Sequence, residues 1–413
     1  MSVVGRVASA GTGAFAKAGK AAGVLRREGL HGFMQRSVRV AYRSLGVASL
    51  DETLLDEDVA DSTDLSLPIP ESRPASGKPL RIGWVTTPPA PGSGGHTTLL
   101  RMVEAAEHAG HGCTLYLYDR FGGNLARQEA VIRQWWPNVR AEIRTVGDGI
   151  SGVDACVASS WETAHALAMH GTAPMRRLYF IQDFEPYFYP RGSLYSLAED
   201  TYRFGFRCIA LGEMVARLLR SEIGIDPDVT EFGCDTSVYR PLDGRQRTGV
   251  VLYARPDVPR RGYSVARLAL ERFHLAHPEV DIHIYGDRVT GLTFPATQHG
   301  RLRPVELNEL YNSCRVGIAM SFTNISLVAE EMLAAGVVAV VNDSVHSRAD
   351  LTNDHVVWAY PSPGGIAGAL DAAIMGPLGN EDAIAASVRQ FGWTKAQADV
   401  VRILEEEVYG PAD

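Results

Sequence analysis

Arg255 follows an apolar run, Val250–Tyr253, that reads as a buried strand, and Arg260, Arg261 and Gly262 come a few residues later, ahead of a helical pattern. A guanidinium donates two parallel hydrogen bonds to phosphate oxygens and stays charged at every working pH, so Arg255 and Arg261 at the mouth of a cleft suit a diphosphate. Cations fixed there stabilise the negative charge that grows on a departing nucleoside diphosphate. The plainer alternative is an exposed basic turn. Further on, Thr323, Asn324, Ile325, Ser326 and Leu327 precede a helix carrying Glu330, Glu331 and Gly336. The first turn of a helix leaves N–H groups unpaired, here at Ser326 and Leu327, where a phosphate can take them, while Glu331 can accept from ribose hydroxyls. A merely solvated glutamate is the alternative. In the N-terminal half, the Pro- and Gly-rich loop Thr86–His96 opens a helix. Gly94 and Gly95 let backbone approach an anion or a sugar closely there, with His96 in reach of donor or acceptor. Gly92, Gly94 and Asp119 fit a dinucleotide fingerprint only loosely, because Thr97 stands where the third glycine belongs and prolines separate the strand from the glycines. A flexible surface loop competes with both readings.

The elements that must position these loops follow an alternating pattern. From Leu80, strands are expected at Arg81–Val85, Thr114–Tyr118 and Ala155–Ala158, with helices at Thr97–Ala109 and Asn124–Trp135. After the turn-rich stretch Gly233–Arg247 the pattern begins again. Strands are expected at Gly249–Tyr253, Asp281–Tyr285, Val316–Met320 and Val337–Val341, and helices at Ser264–His277, Pro304–Cys314 and Val328–Ala335. Such alternation builds parallel sheets covered by helices on both faces. The expectation is an α/β chain of two Rossmann-like domains facing across a cleft, an N-terminal acceptor domain at 80–240 and a C-terminal donor domain at 241–388. A basic helical arm and an acidic, Pro/Ser-rich linker (1–79) would precede them, and a closing helix (389–413, its pattern running Ala383–Val408) would follow. Strand carboxyl ends line the cleft of such a fold.

With 413 residues, 46% of them hydrophobic and 21% charged, the chain buries real cores. A net charge of -8 excludes a global basic field and argues against nucleic acid as a partner. The charge is uneven: residues 1–46 hold eight Lys or Arg against the single acid Glu28, and residues 51–64 hold seven acids and no base. The five cysteines (Cys113, Cys156, Cys208, Cys234, Cys314) are scattered singly, which favours free thiols in a reducing compartment. No apolar run reaches the roughly 18 to 20 residues of a membrane span, and the start lacks the pattern of a secretory signal. A cytoplasmic location is expected. The basic arm, with Phe15, Leu25, Leu30, Phe33, Met34, Val38 and Val40 among its charges, would touch an anionic membrane peripherally, dock a partner, or stay a solvated tail.

Arg255, Arg261-Gly262 and the run Thr323 to Gly336 resemble the donor-site signature of family 4 glycosyltransferases of GT-B fold, in which an Arg, a Lys-Gly and two glutamates separated by seven residues surround the nucleotide sugar. Gly233-Cys234-Asp235, followed by Tyr239-Arg240-Pro241, is similar to the family's interdomain stretch. Within the family, Ser159-Ser160-Trp161-Glu162-Thr163 and the run Tyr179 to Glu185 resemble the WsaF-like rhamnosyltransferases of bacterial surface glycans. The likeness implies a donor site at Gly94, Gly95, Arg255, Arg261, Thr323, Asn324, Ser326, Leu327 and Glu331. It implies an acceptor site at His96, Trp161, Glu162, Gln182, Asp183 and Glu185, with Arg255, Arg261 and Asp183 catalytic. The reaction implied is transfer of L-rhamnose from dTDP-L-rhamnose, with retention, to a glycan or lipid-linked glycan acceptor, without metal or cofactor. This sequence departs from the family at three positions. Arg261 replaces the lysine, Thr323 replaces the first glutamate, and Gln182 stands where many relatives carry a histidine. The short Thr323 leaves room for a 6-deoxyhexose, and the amide of Gln182 cannot act as a general base.

Rival chemistries lack their residues. A metal-dependent transferase needs a carboxylate pair, and Asp56-Glu57-Asp58 and Asp226-Pro227-Asp228 lie in a linker and a turn. A pyridoxal-dependent phosphorylase needs a core lysine, but the chain has only Lys17, Lys20, Lys78 and Lys395. A nucleotide-sugar epimerase of like fold and a silent sugar-binding subunit remain as alternatives.

Overall fold

The alternation of strands and helices resolves into two parallel sheets in the computed structural model of the chain, which describes residues 53–324, 327–377, 380–388 and 392–410. The first sheet holds β1 (Arg81–Thr86), β2 (Gly112–Leu117), β3 (Glu142–Thr145), β4 (Ala155–Ala158), β5 (Arg176–Ile181), β6 (Arg207–Leu211) and β7 (Asp228–Thr230). Its order is β3-β2-β1-β4-β5-β6-β7 and every pairing is parallel. The second sheet holds β8 (Gly249–Ala254), β9 (Ile282–Gly286), β10 (Thr297–Gly300), β11 (Cys314–Ile318), β12 (Val338–Asn342) and β13 (Val356–Ala359). It runs β10-β9-β8-β11-β12-β13, also all parallel. Strands covered on both faces are apolar throughout, as the fully buried Ala155–Ala158 shows. In each sheet the strand order reverses beside its first strand, between β1 and β4 and between β8 and β11. The carboxyl edge at such a switch point is where ligands bind in open α/β sheets.

Contacts divide the chain into residues 1–57 and residues 58–413. The expected helical arm and its membrane contact lie outside the described residues. The acidic, Pro/Ser-rich stretch behaves differently from a free linker. Asp58 is 5% exposed, accepts from the Tyr118 hydroxyl at 2.7 Å and faces His170 Nε2 at 2.7 Å. Ser62 is bonded through its N–H and hydroxyl to Asp200, and the Pro68 carbonyl accepts from Arg177 at 2.8 Å. Residues 58–79 therefore form a strap fastened to the first domain.

The expected closing helix is two helices. Glu381–Ala386 puts Ile384 into the second domain's core, whereas Thr394–Tyr409 puts Ala396, Val400, Ile403, Leu404 and Val408 into the first domain's, against residues such as Trp84 and Phe180. Gly392, with φ 53°, lies two residues ahead of the second helix in a left-handed geometry that a continuous helix could not contain. The chain thus crosses between the domains twice. At the crossing a side chain on Gly233 would lie 2.3 Å from the Gly392 carbonyl oxygen, so only glycine fits. The helix expected to reach Cys314 stops at Tyr311, and Cys314 begins β11.

Candidate functional site

The loops after β8 and β11 meet at the carboxyl edge of the second sheet. Arg255 leaves β8, with its Nε 2.9 Å from Asp287 Oδ2 and its Nη1 donating to the Tyr253 hydroxyl at 3.2 Å. A 3₁₀ turn, Pro259–Arg261, follows and ends at Gly262, whose φ of 65° starts the helix Tyr263–Ala276. A Cβ there would press on Phe322 and Met320 at 3.0 and 3.1 Å, so the glycine lets the arginine turn lie against the β11 loop. Arg261 Nη1 donates to Ser321 Oγ at 3.0 Å. Burial first, then the neighbouring Arg260, holds the Arg261 guanidinium below its ordinary pKa, and burial does the same for Arg260. Three guanidiniums therefore crowd one sheet edge, an arrangement that an anion would relieve.

The β11 loop is braced from its own domain at one end. Ser321 N–H donates to Asn342 Oδ1 at 2.8 Å, Asn342 Nδ2 donates back to the Ser321 carbonyl at 2.7 Å, and the Ser321 hydroxyl donates to the Asn324 carbonyl. Thr323 and Asn324 are 1% and 5% exposed. Thr323 Oγ1 donates to Asp183 Oδ2 at 2.7 Å, so the space expected for a sugar's methyl group holds a carboxylate from the other domain. Leu327 opens the helix Leu327–Ala334 as expected, and Ser326 lies outside the described residues. Glu331 is in that helix, half-buried beside Tyr239 of the interdomain stretch. Burial pushes its carboxyl up to about 7, opposed by a hydrogen bond from Tyr239 and by Arg101.

In the first domain the expected acceptor residues separate into exposed and consumed groups. Gly94 and Gly95 begin the helix Gly94–His108, are exposed, and have open space or only the Gln182 side chain beyond them. Gln182 Nε2 donates to the Gly95 carbonyl at 3.1 Å, tying the end of β5 to the glycine loop. His96 is spent on that same loop: Nδ1 lies 2.7 Å from Ser93 Oγ, and Nε2 lies 3.2 Å from both the hydroxyl and the carbonyl oxygen of Thr87. Burial pushes its pKa down and favours the neutral ring.

Trp161, Glu162 and Glu185 are interior residues, at 1%, 9% and 4% exposure. Glu185 Oε2 accepts from the Trp161 N–H at 2.5 Å and from the Tyr179 hydroxyl at 2.9 Å, and the Tyr202 hydroxyl accepts from the Glu185 N–H at 3.0 Å. It caps the helix Trp161–His170, and burial followed by the nearby Glu162 raises its carboxyl well above the usual range. The Trp161 indole donates to Tyr189 at 3.1 Å. The arrangement makes these groups a scaffold beneath the cleft, in place of the acceptor contacts expected of them.

Arg260, named above with the basic turn but given no role, and the aromatic residues Tyr187 and Phe188 also contribute. Arg260 lies over the Phe188 ring, 3.9 Å from its centroid, with Nε 3.7 Å from Asp183 Oδ2. Tyr187 packs edge-on to His346 at 5.7 Å. The aromatic run Tyr187-Phe188-Tyr189 was the available signal, since a ring beside an arginine-rich turn invites a cation–π pair. Among the described residues no group of three or more His, Cys, Asp or Glu converges as metal ligands would. The second acidic triplet is spent on arginines, Asp226 on Arg220 and Asp228 on Arg207, each at 2.7 Å. All five cysteines are free and buried, and burial raises the thiols of Cys113, Cys156, Cys208 and Cys314 to about 12.

Comparison with known proteins agrees with this frame. The family model described as the WsaF N-terminal domain matches residues 149–213, and the WsaF C-terminal domain model matches residues 248–371. The O-antigen biosynthesis protein RfbC of Myxococcus xanthus is 31% identical over 239 residues, which cover 54% of this chain and 18% of that protein's length. A glycosyltransferase from Rickettsia africae superimposes with a TM-score of 0.58 at 13% identity, covering 81% of this chain and all of that one. HepE of Anabaena, solved with UDP and glucose, superimposes with a TM-score of 0.56 at 13% identity, covering 80% of this chain and 95% of that one. At such identities these two likenesses carry the fold alone. With both domain models matched in order on its two Rossmann-like domains, the chain has a GT-B fold and is similar to the WsaF-like glycosyltransferases.

Proposed function

We propose that the chain transfers a sugar, L-rhamnose from dTDP-L-rhamnose, to a growing cell-surface glycan with retention of configuration. The observation that carries this reading is the convergence of Arg255, Arg260 and Arg261 against the β11 loop that leads to the helix Leu327–Ala334, at the carboxyl edge of a sheet matched by the WsaF C-terminal domain model. Three fixed cations and a helix N-terminus suit a diphosphate. As the bond from the anomeric carbon to the diphosphate oxygen breaks, the acceptor oxygen bonds that carbon from the same face, and its proton passes to a departing phosphate oxygen. The charge that accumulates on the leaving group is greatest in the transition state, so Arg255 and Arg261 lower the barrier more than they tighten ground-state binding. Gly94 and Gly95 face the reacting sugar as the exposed wall opposite.

The relatives support the class of substrate. RfbC is named for O-antigen biosynthesis, and HepE has been solved with UDP-glucose. Contact of residues 1–46 with an anionic, lipid-bearing membrane surface belongs to the same proposal. A thermal-shift series of nucleotide sugars tests it, because a ligand that binds only the native state raises stability according to its affinity. dTDP and dTDP-L-rhamnose should raise the melting temperature without added magnesium. Equal shifts with every nucleotide would remove the base preference, and no shift with any would remove the donor site.

A further inference from the structure

A single carboxylate from the first domain reaches into the β11 loop of the second. Asp183, 5% exposed, accepts from the Thr323 hydroxyl through Oδ2 at 2.7 Å and from the Asn324 N–H through Oδ1 at 3.2 Å. Arg260 Nε stands 3.7 Å from the same Oδ2, and the Asn324 side-chain amide donates to the carbonyl of Gln182. With Phe188 under Arg260 and Tyr187 against His346, residues 182–188 supply a continuous seam on the other domain. The loop's own domain braces Ser321, whereas Thr323 and the Asn324 N–H are held from across the cleft.

We infer that Asp183 is a positioning residue, a clasp that sets Thr323, Asn324 and Arg260 from the opposite domain, so that the donor loop is complete only while the two domains are engaged. The word donor rests on the function proposed above; the clasp itself rests on the geometry. Both carboxylate oxygens already accept hydrogen bonds from the loop, which leaves Asp183 poorly placed to take a proton from an acceptor hydroxyl. Coupling of this kind is reciprocal. If engagement of the domains shapes the loop, a ligand on the loop favours engagement by the same factor. A second carboxylate crosses the other way, since Asp350 accepts from the Glu213 N–H at 2.5 Å and the Met214 N–H at 3.0 Å. That contact survives when Asp183 is changed, so the domains stay together and the effect is local.

The test uses the full chain without ligand, followed by hydrogen–deuterium exchange, and then with dTDP by calorimetry. Asp183→Ala should speed exchange of the Asn324 N–H by about tenfold or more, the effect of losing one hydrogen bond to a charged group, while β11 and the first domain's core keep their protection. Thr323→Val should speed the same loop less, and should add little in the Asp183→Ala background, because the two changes break one interaction. Asp183→Asn, whose amide oxygen still accepts, should restore part of the protection. In the ligand arm, Asp183→Ala should weaken dTDP by about tenfold and raise the donor KM more than it lowers kcat. Unchanged loop exchange, or additive effects of the two substitutions, would overturn the clasp. So would a collapse of kcat with an altered pH profile at undiminished dTDP affinity, which marks a proton-transfer residue. If the unaltered chain binds no dTDP, the donor reading fails by itself and the exchange result still decides the clasp.

Discussion

At the carboxyl edge of the second sheet, Arg255, Arg260 and Arg261 stand within one short stretch of chain and have Asp287 and Asp183 as the carboxylates in ion-pair range among the described residues. At the same edge of the first sheet, Glu185 is consumed by a helix N-terminus and two tyrosines, and Asp183 by the other domain's loop. The two domains share a strand order and use their charged residues in opposite ways. Crowded cations raise each other's energy and call for an anion, whereas buried carboxylates with filled hydrogen bonds have been satisfied by the fold itself. A charged residue at a switch point is therefore a candidate ligand contact where like charges outnumber the partners that the chain supplies, as three arginines outnumber Asp287 and Asp183 here.

The comparison breaks most visibly at Glu185. Glu185→Ala should lower the unfolding free energy by about 3 kcal/mol in urea titrations, because it strands the Trp161 N–H and the Tyr179 hydroxyl in the interior. Unchanged stability with a raised acceptor KM would return Glu185 to the acceptor site. Arg255→Ala should do the reverse, reducing kcat/KM for the nucleotide sugar on the order of 100-fold while the melting temperature moves by only a few degrees. Glu331 provides a pH-dependent case. Its folded pKa is raised from 4.5 to about 7, so its contribution to stability is complete below pH 4.5 and is lost as pH rises through about 7. Glu331→Gln, which imitates the neutral form, should therefore gain about 2 kcal/mol on the parent chain between pH 4 and pH 8. Identical stability differences at the two pH values would place Glu331 in solvent. Arg81 sets the floor: its ion pair with Asp154 has the arginine side chain 66% exposed, and Arg81→Ala should cost under about 0.5 kcal/mol.

The sequence made the second domain's site legible for a physical reason. A buried strand, a short arginine-bearing turn and a glycine before a helix are local events, and Arg255, Arg261 and Gly262 needed no knowledge of the rest of the chain. Glu185 and Trp161 lacked that locality. The tyrosines that occupy Glu185 lie six residues before it and seventeen after it, and the helix it caps begins twenty-four residues earlier. A carboxylate waiting for a ligand and one already capping a helix look alike in sequence. The same holds for Asp183, whose partners lie about 140 residues away. In the fold, the two sheets followed from alternation, but β3, β5, β6, β7, β10 and β13 were not expected; β7 with three residues and β3, β10 and β13 with four carry too little periodicity to register. The closing helix was misread as continuous because Glu381–Ala386 and Thr394–Tyr409 are both apolar on one face, and the left-handed Gly392 between them is visible only in the backbone.

The central claim, that the crowded arginines of the second domain hold a diphosphate, is tested most directly by calorimetric titration of the full chain and of Arg255→Ala with dTDP and with thymidine. dTDP should bind the unaltered chain without added metal and far more tightly than thymidine, and Arg255→Ala should weaken dTDP by about tenfold or more, the worth of a charge-assisted phosphate contact, while leaving thymidine unchanged. Equal affinity of the two proteins for dTDP would contradict the account.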